Sequence, residues 1–156
     1  MPAALITGAG SGIGAACAEA LSSREFGVVC ADVDAAAADR TASRLGRAAA
    51  VALDVRSEPD TARSVDVAVD RFGPLEAVVT AAGILRSGPA IDLDLTDFES
   101  VLRVNTTASI PRSAIVQASS WTYTFIPPAS PTPGCSSGDV CIARYATRSI
   151  MRTFLQ

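Results

Sequence analysis

Residues 3–14 of the chain have the sequence AALITGAGSGIG. The apolar run from Ala3 to Thr7 is short and closes on glycines, which is typical of a buried strand that ends in a tight turn. Alanine, cysteine and leucine then recur at helical spacing from Ile13 to Ser22. The stretch therefore predicts a strand, a glycine-rich turn and a helix in direct succession.

The same alternation of strand and helix continues along the chain. Further strands are predicted over 26–32, 48–53 and 75–80, and further helices over 35–45 and 57–72. Another helix is predicted to begin near Asp94, with a capping box formed by Thr96 and Glu99. Regular alternation of this kind predicts an α/β fold, a Rossmann-like doubly wound parallel sheet with helices on both faces.

The composition of the chain changes near residue 107. Up to that residue nine arginines stand against fifteen acidic residues, whereas residues 108–156 have four arginines against Asp139 alone. Five of the nine prolines also fall in this shorter second part. The two parts are therefore expected to differ in structure.

A fifth strand is predicted over residues 114–118, after which the sequence is rich in serine, threonine and proline without a clear period. We therefore expect a dinucleotide-binding domain over residues 1–118 and an irregular tail over residues 119–156. On this interpretation the sheet is truncated after about its fifth strand.

Composition excludes several classes of function. With 156 residues, 49% of them hydrophobic, the chain is about one globular domain in size. A net charge of −3 argues against a nucleic-acid surface, and no apolar run approaches the roughly 20 residues that span a bilayer. No histidine and no CxxC pair is present, so no metal site is expected. The N-terminus shows no export signal, which predicts a cytoplasmic protein.

The glycines of the first turn predict a phosphate site. Gly8, Gly12 and Gly14 stand between a strand and a helix, where missing side chains let backbone N–H groups approach a pyrophosphate at the helix N-terminus. The alternative is a turn that uses glycine for structural reasons alone. The position after the first strand of a complete βαβ frame favours the phosphate site.

Asp32 ends the second predicted strand, 24 residues after Gly8. A carboxylate at this place can accept hydrogen bonds from both ribose hydroxyls and would repel a 2′-phosphate, so it favours NAD over NADP. The alternative is a helix-capping aspartate that shares this role with Asp34.

These residues resemble the short-chain dehydrogenases/reductases. The family's TGxxxGxG motif is matched at Thr7, Gly8, Gly12 and Gly14. Asp54 and Val55 look like the pair that contacts adenine, and residues 72–79 are similar to the lead-in to the family's fourth strand. The resemblance covers residues 3–107 and, more weakly, 114–120.

The resemblance implies a set of cofactor contacts. Thr80-Ala81-Ala82-Gly83 falls where the family has NNAG or NAAG, so that Thr80 replaces a side-chain amide which usually ties neighbouring strands together. The implied contacts to NAD are Thr7, Gly8, Ser11, Gly12, Ile13, Gly14, Asp32, Asp54, Val55, Ala81, Ala82 and Gly83.

The resemblance also implies hydride transfer between nicotinamide and a small alcohol or carbonyl substrate. Asn105 falls at the asparagine that organises the family's active site, and Ser120 resembles the serine that holds the substrate oxygen. Tyr145 is the candidate acid/base, but the family's YxxxK motif has Ser149 in place of lysine here. All 13 cationic side chains are arginine, so no lysine can lower the pKa of a catalytic tyrosine.

Three hypotheses therefore remain open. The chain is an NAD-dependent oxidoreductase, a catalytically incomplete NAD-binding remnant that arose by frameshift or truncation, or a protein that senses NAD without turnover. The resemblance implies homo-oligomers, whereas loss of the last strands would leave an exposed sheet edge and argues against an ordinary family oligomer.

Overall fold

A computed structural model describes residues 1–89, 91–92 and 94–107 of the chain, together with the backbone of residues 121–124. The strands within these residues are β1 (Ala3–Thr7), β2 (Gly27–Asp32), β3 (Ala48–Ala52), β4 (Leu75–Thr80) and β5 (Trp121–Thr124). The α-helices are α1 (Gly12–Ser22), α2 (Ala35–Ala42), α3 (Glu58–Phe72) and α4 (Leu95–Leu102), and a π-helical turn over Arg103–Thr107 follows α4. The predicted alternation of strands and helices is confirmed.

The strands form one parallel sheet in the order β3-β2-β1-β4-β5. The chain builds outward from β1 through β2 to β3, and then returns to the other side of β1 to place β4. The carboxyl ends of β1 and β4 therefore meet at a topological switch point, where ligands bind in open α/β sheets. The predicted Rossmann-like sheet is confirmed.

Successive residues of β1 face opposite layers of the core. Leu5 lies in the core cluster that contains Val65 and Ala68 of α3. Ile6 lies in the cluster formed with Cys17 and Leu21 of α1. Because a parallel sheet buries both faces, this alternation explains why the strands are continuous apolar runs in the sequence.

Helix α3 begins as the sequence predicts. The Ser57 hydroxyl accepts the N–H of Asp60 at 3.3 Å, and Pro59 lies in the first turn, where its missing N–H costs no helical hydrogen bond. Asp60 also brings negative charge to the positive end of the helix dipole. These features fix the position of the crossover between β3 and β4.

Two helix ends differ from the prediction. The capping box of Thr96 and Glu99 is wrong, because Asp94 is the N-cap and its carboxylate accepts the Thr96 N–H at 2.9 Å. Helix α2 ends three residues before the predicted residue 45. Its chain tightens there into a 3₁₀-type turn, in which the Leu45 N–H donates to the Ala42 carbonyl.

Strand β5 extends the sheet beside β4, with Trp121 opposite Ala77 and Thr124 opposite Thr80. The strand predicted over residues 114–118 lies outside the described residues. Because β5 falls within the segment 119–156, the domain boundary at residue 118 stays a prediction.

Candidate functional site

Two glycines of the first turn let three parts of the fold approach one another. A Cβ on Gly8 would lie 2.6 Å from the backbone nitrogen of Ala82, in the segment that follows β4. A Cβ on Gly14 would lie 2.1 Å from the carbonyl oxygen of Gly8. Glycine at these positions is therefore required for β1, α1 and the segment after β4 to pack together.

Gly12 differs from both, because no described atom lies within 4 Å of the place where its Cβ would be. Its φ of +51° is a backbone conformation that glycine adopts at little cost. Helix α1 begins here, so the N–H groups of its first turn have no intrahelical carbonyl partner. Ser11 and Ile13 flank Gly12 and are exposed. This open turn fits a phosphate group bound by backbone N–H donors.

The Asp32 carboxylate is held by backbone donors on both oxygens. Its Oδ2 accepts the Gly10 N–H at 2.8 Å, and its Oδ1 accepts the Asp34 N–H at 3.0 Å. A carboxylate has about four acceptor sites, so each oxygen retains one for a ligand hydroxyl. Asp32 is half-buried at the carboxyl end of β2, next to the glycine turn.

The capping alternative for Asp32 is wrong, because Asp34 alone is the N-cap of α2. The Asp34 carboxylate accepts the Ala37 N–H at 3.0 Å, whereas Asp32 accepts from the glycine turn and from Asp34 itself. The two aspartates therefore have separate tasks.

Asp54 follows β3 and forms a fork-like ion pair with Arg56. The Arg56 Nη2 donates to Asp54 Oδ2 at 2.7 Å, and the Arg56 Nε and backbone N–H both donate to Oδ1 at 2.9 Å. These hydrogen bonds hold the pKa of the Asp54 carboxyl below its usual value. An adenine amino group at Asp54 would share these oxygens with Arg56. Val55 is half-buried and packs against the core cluster that contains α3.

Thr7 ties the end of β1 to the segment that follows β4. Its carbonyl oxygen accepts the Ala81 N–H at 3.2 Å, and its hydroxyl oxygen accepts the Ala82 N–H at 3.3 Å. The Thr7 side chain is almost fully buried, so the hydroxyl is shielded from competing water. The link holds Ala81, Ala82 and Gly83 beside the glycine turn.

Asn105 lies in the π-helical turn after α4 and binds the backbone of Ile84 through both ends of its amide. Its Nδ2 donates to the Ile84 carbonyl and its Oδ1 accepts the Ile84 N–H, each at 2.9 Å. Gly83 stands directly before this contact, and a Cβ there would lie 3.5 Å from Asn105 Oδ1. The side chain therefore acts as a clamp on the segment after β4, and π-helical turns occur frequently at functional sites.

The two remaining catalytic candidates, Ser120 and Tyr145, lie outside the described residues. Sequence reasoning missed Gly10 and Arg56, which contact the predicted carboxylates directly. Gly10 had a visible signal, since it is a fourth glycine within the motif. For Arg56 the only signal in the sequence was its position two residues after Asp54.

Two further properties concern only the described part of the chain. No helix there combines the length and the apolar character needed to cross a membrane. Likewise, no three histidine, cysteine or acidic side chains in that part cluster closely enough to hold a metal ion.

A family model described as short chain dehydrogenase matches residues 2–119. The chain belongs to the short chain dehydrogenase family. The family resemblance that the TGxxxGxG motif carries is thereby confirmed. Its members are oxidoreductases that bind nicotinamide cofactors and act on small alcohols or carbonyl compounds.

Individual relatives match the same part of the chain. D-threitol dehydrogenase of Mycolicibacterium smegmatis is 37% identical over 106 residues, which cover 65% of this chain and 41% of that protein. Type-2 3-hydroxyacyl-CoA dehydrogenase of Drosophila melanogaster is 33% identical over 109 residues, which cover 65% and 43%. The chain thus spans less than half the length of these two relatives.

Solved structures agree with the fold. A 3-ketoacyl-(acyl-carrier-protein) reductase from Brucella melitensis, complexed with NADH, superposes with a TM-score of 0.69 at 32% identity. The match covers 74% of this chain and 50% of that one. A dehydrogenase/reductase from Sinorhizobium meliloti gives a TM-score of 0.67 at 34% identity, covering 76% and 48%.

Proposed function

We propose that this chain acts as an NAD-dependent oxidoreductase that transfers hydride between nicotinamide and an alcohol or carbonyl substrate. The observation that carries the proposal is the pairing of an open glycine turn at Gly12 with the Asp32 carboxylate, at the switch point of the sheet. NAD, when bound, supplies the hydride acceptor, and its reduced form supplies the donor.

Different residues near the switch point are proposed to contact different parts of the dinucleotide. Backbone N–H groups at Gly12, Ile13 and Gly14 hold the pyrophosphate at the start of α1. Asp32 would accept the hydroxyls of the adenosine ribose, and Asp54 and Val55 would contact the adenine. Residues Ala81 to Gly83 would contact the nicotinamide half.

The preference for NAD over NADP follows from charge. The Asp32 carboxylate is already restrained by two backbone donors. It would therefore face the additional phosphate of NADP at close range, and like charges repel strongly where water is partly excluded. No lysine exists in the chain to offset that repulsion, and the two basic side chains nearest to Asp32 in sequence, Arg24 and Arg40, are exposed.

The catalytic roles rest on the family resemblance. Asn105 positions the segment after β4 through Ile84. Ser120 holds the substrate oxygen, and Tyr145 takes the hydroxyl proton during oxidation or returns it during reduction. A phenol titrates near 10, so Tyr145 needs a positive group nearby to act at neutral pH.

A second candidate function is dinucleotide binding without turnover. The observation that favours it is the complete absence of lysine, which removes the cation that the family uses to lower the pKa of its tyrosine. In addition, the family match ends at residue 119, before Ser120 and Tyr145. A catalytically incomplete remnant and an NAD sensor would share the same cofactor contacts.

Two measurements on the full chain separate these candidates. Calorimetric titration with NAD tests binding, and absorbance of reduced nicotinamide across a panel of small alcohols and ketones tests turnover. Binding with turnover that is lost in Tyr145→Phe supports the oxidoreductase. Binding with no turnover for any substrate supports the second candidate. Absence of NAD binding contradicts both.

The remaining assignments are proposals of the same kind. The substrate is a small molecule rather than a nucleic acid, consistent with the net charge of −3. A cytoplasmic location fits free cysteine at positions 17 and 30, because thiols persist in reducing compartments.

A further inference from the structure

Gly10 lies within the glycine motif, and the proposed function leaves it without a task. Its N–H donates to Asp32 Oδ2 at 2.8 Å. A Cβ at Gly10 would lie 2.8 Å from this same oxygen and 2.7 Å from the Cβ of Ala37. A side chain here must therefore displace the carboxylate, helix α2 or the turn itself.

A second restraint on the same carboxylate comes from the start of α2. Asp32 Oδ1 accepts the Asp34 N–H at 3.0 Å, and Asp34 is itself fixed as the N-cap through the Ala37 N–H. The two Asp32 oxygens are thus held by the phosphate turn on one side and by the α2 cap on the other. Loss of one restraint frees the carboxylate to rotate about the other.

We propose that Gly10 is a specificity-determining position, whose missing side chain lets the turn hold Asp32 in the orientation that favours NAD over NADP. The inference rests on the proposed role of Asp32 in binding ribose. A carboxylate that is ordered before the cofactor arrives loses less conformational freedom on binding a ribose diol. It also cannot turn away from a 2′-phosphate, so the repulsion of NADP is preserved.

The direct test is Gly10→Ala in the full chain, with dissociation constants for NAD and NADP measured by calorimetry. We expect the ratio of the NADP constant to the NAD constant to fall about tenfold, the effect of losing one hydrogen bond to a charged group. Gly46→Ala is the matched control, because no described atom lies within 4 Å of a Cβ at that exposed glycine. It should leave the ratio unchanged.

A double-mutant cycle with Asp32→Ala separates specificity from simple damage to the fold. If Gly10 acts through Asp32, Gly10→Ala changes the ratio by less than about twofold once the carboxylate is gone. A purely structural effect would weaken NAD and NADP equally and leave the ratio as in the original chain. That outcome overturns the inference.

Two additions guard against a variant that fails to fold. The double variant Gly10→Ala with Ala37→Gly removes the 2.7 Å overlap between the two Cβ atoms and keeps the new Cβ close to Asp32 Oδ2. The ratio of the NADP constant to the NAD constant should therefore still fall. The second addition measures hydrogen exchange at the Gly10 amide, and it avoids a folding defect at Gly10 because that residue is left unchanged. Exchange should be slow in the original chain and faster in Asp32→Ala, and an amide that exchanges equally fast in both overturns the inference.

The outcomes also distinguish this inference from the function beneath it. If Asp32→Ala leaves the cofactor ratio unchanged, the ribose role of Asp32 fails and the Gly10 inference fails with it. If Asp32→Ala shifts the ratio while Gly10→Ala does not, only the Gly10 inference fails.

Discussion

Gly14→Ala tests the close packing of α1 against the first turn. A Cβ at Gly14 would lie 2.1 Å from the Gly8 carbonyl oxygen and 2.6 Å from its carbon, whereas ordinary contacts begin near 3.4 Å. The opposing atoms are backbone, so no side-chain rotation relieves the overlap. Helix α1 must move by about 1 Å, and interiors at native packing density resist such shifts.

The expected magnitude combines two opposing effects. Alanine is favoured over glycine inside a helix by about 1 kcal/mol. Overpacking costs about 1–3 kcal/mol, and a backbone overlap of this size belongs at the upper end of that range. We therefore expect a net loss of about 2 kcal/mol, which lowers the melting temperature by about 4–8 °C for a chain of this length.

The assay is thermal unfolding followed by far-ultraviolet circular dichroism, with Gly46→Ala as the control. Gly46 is exposed and no described atom lies within 4 Å of a Cβ there, so its variant should melt within a degree or two of the original. A Gly14→Ala protein that melts at or above the original temperature would refute the close approach of α1 to the turn.

Three further predictions concern contacts of single side chains. Asn105→Ala removes both hydrogen bonds to Ile84, each worth about 1 kcal/mol, so hydrogen exchange at the Ile84 amide should accelerate at least tenfold. Unchanged exchange would contradict the clamp. The pKa of Asp54 is lowered from 3.8 in the folded chain, so its pairing with Arg56 stabilises the fold above that pH and is lost on further acidification. Urea titrations in acid should show a slightly shallower loss of stability in Arg56→Ala, since exposed pairs contribute little, and an identical acid profile would contradict a stabilising contribution from this pair. Burial raises the pKa of the Cys30 thiol to about 11, so alkylation at neutral pH should require denaturant. Rapid alkylation of Cys30 in the native protein, located by mass analysis of its peptide, would contradict the packing of β2.

The central part of the sheet was predictable from the sequence because β1, β2 and β4 are buried along most of their length and therefore form apolar runs. Strand β4 has the predicted bounds, since Leu75 follows a Gly-Pro turn and the apolar run stops at Thr80. The start of α3 was predictable for a similar reason, because capping uses residues three positions apart. Signals of this kind are local, and local patterns can be recognised without knowledge of the fold.

The contacts that organise the candidate site were not predictable in this way. Asp32 and Gly10 are 22 residues apart, and Asn105 and Ile84 are 21 apart. Each contact depends on which strands become neighbours and on the direction of a single amide or carboxylate. The periodicity of apolar residues does not predict which strands pair or how a single side chain is oriented.

The wrong capping box shows the same limit at short range. Asp94 and Thr96 are both good capping residues, and the sequence places them two positions apart. In the structure Asp94 captures the Thr96 N–H, which starts α4 earlier than Thr96 could. Which of two neighbouring capping residues becomes the N-cap depends on the local backbone conformation, and this cannot be predicted from the sequence pattern.

Calorimetric titration of the full chain with NAD and NADP tests the central claim most directly. The account predicts saturable binding of NAD in the micromolar range, weaker binding of NADP, and loss of that difference in Asp32→Ala. Failure to bind NAD, or tighter binding of NADP by the original chain, would contradict it.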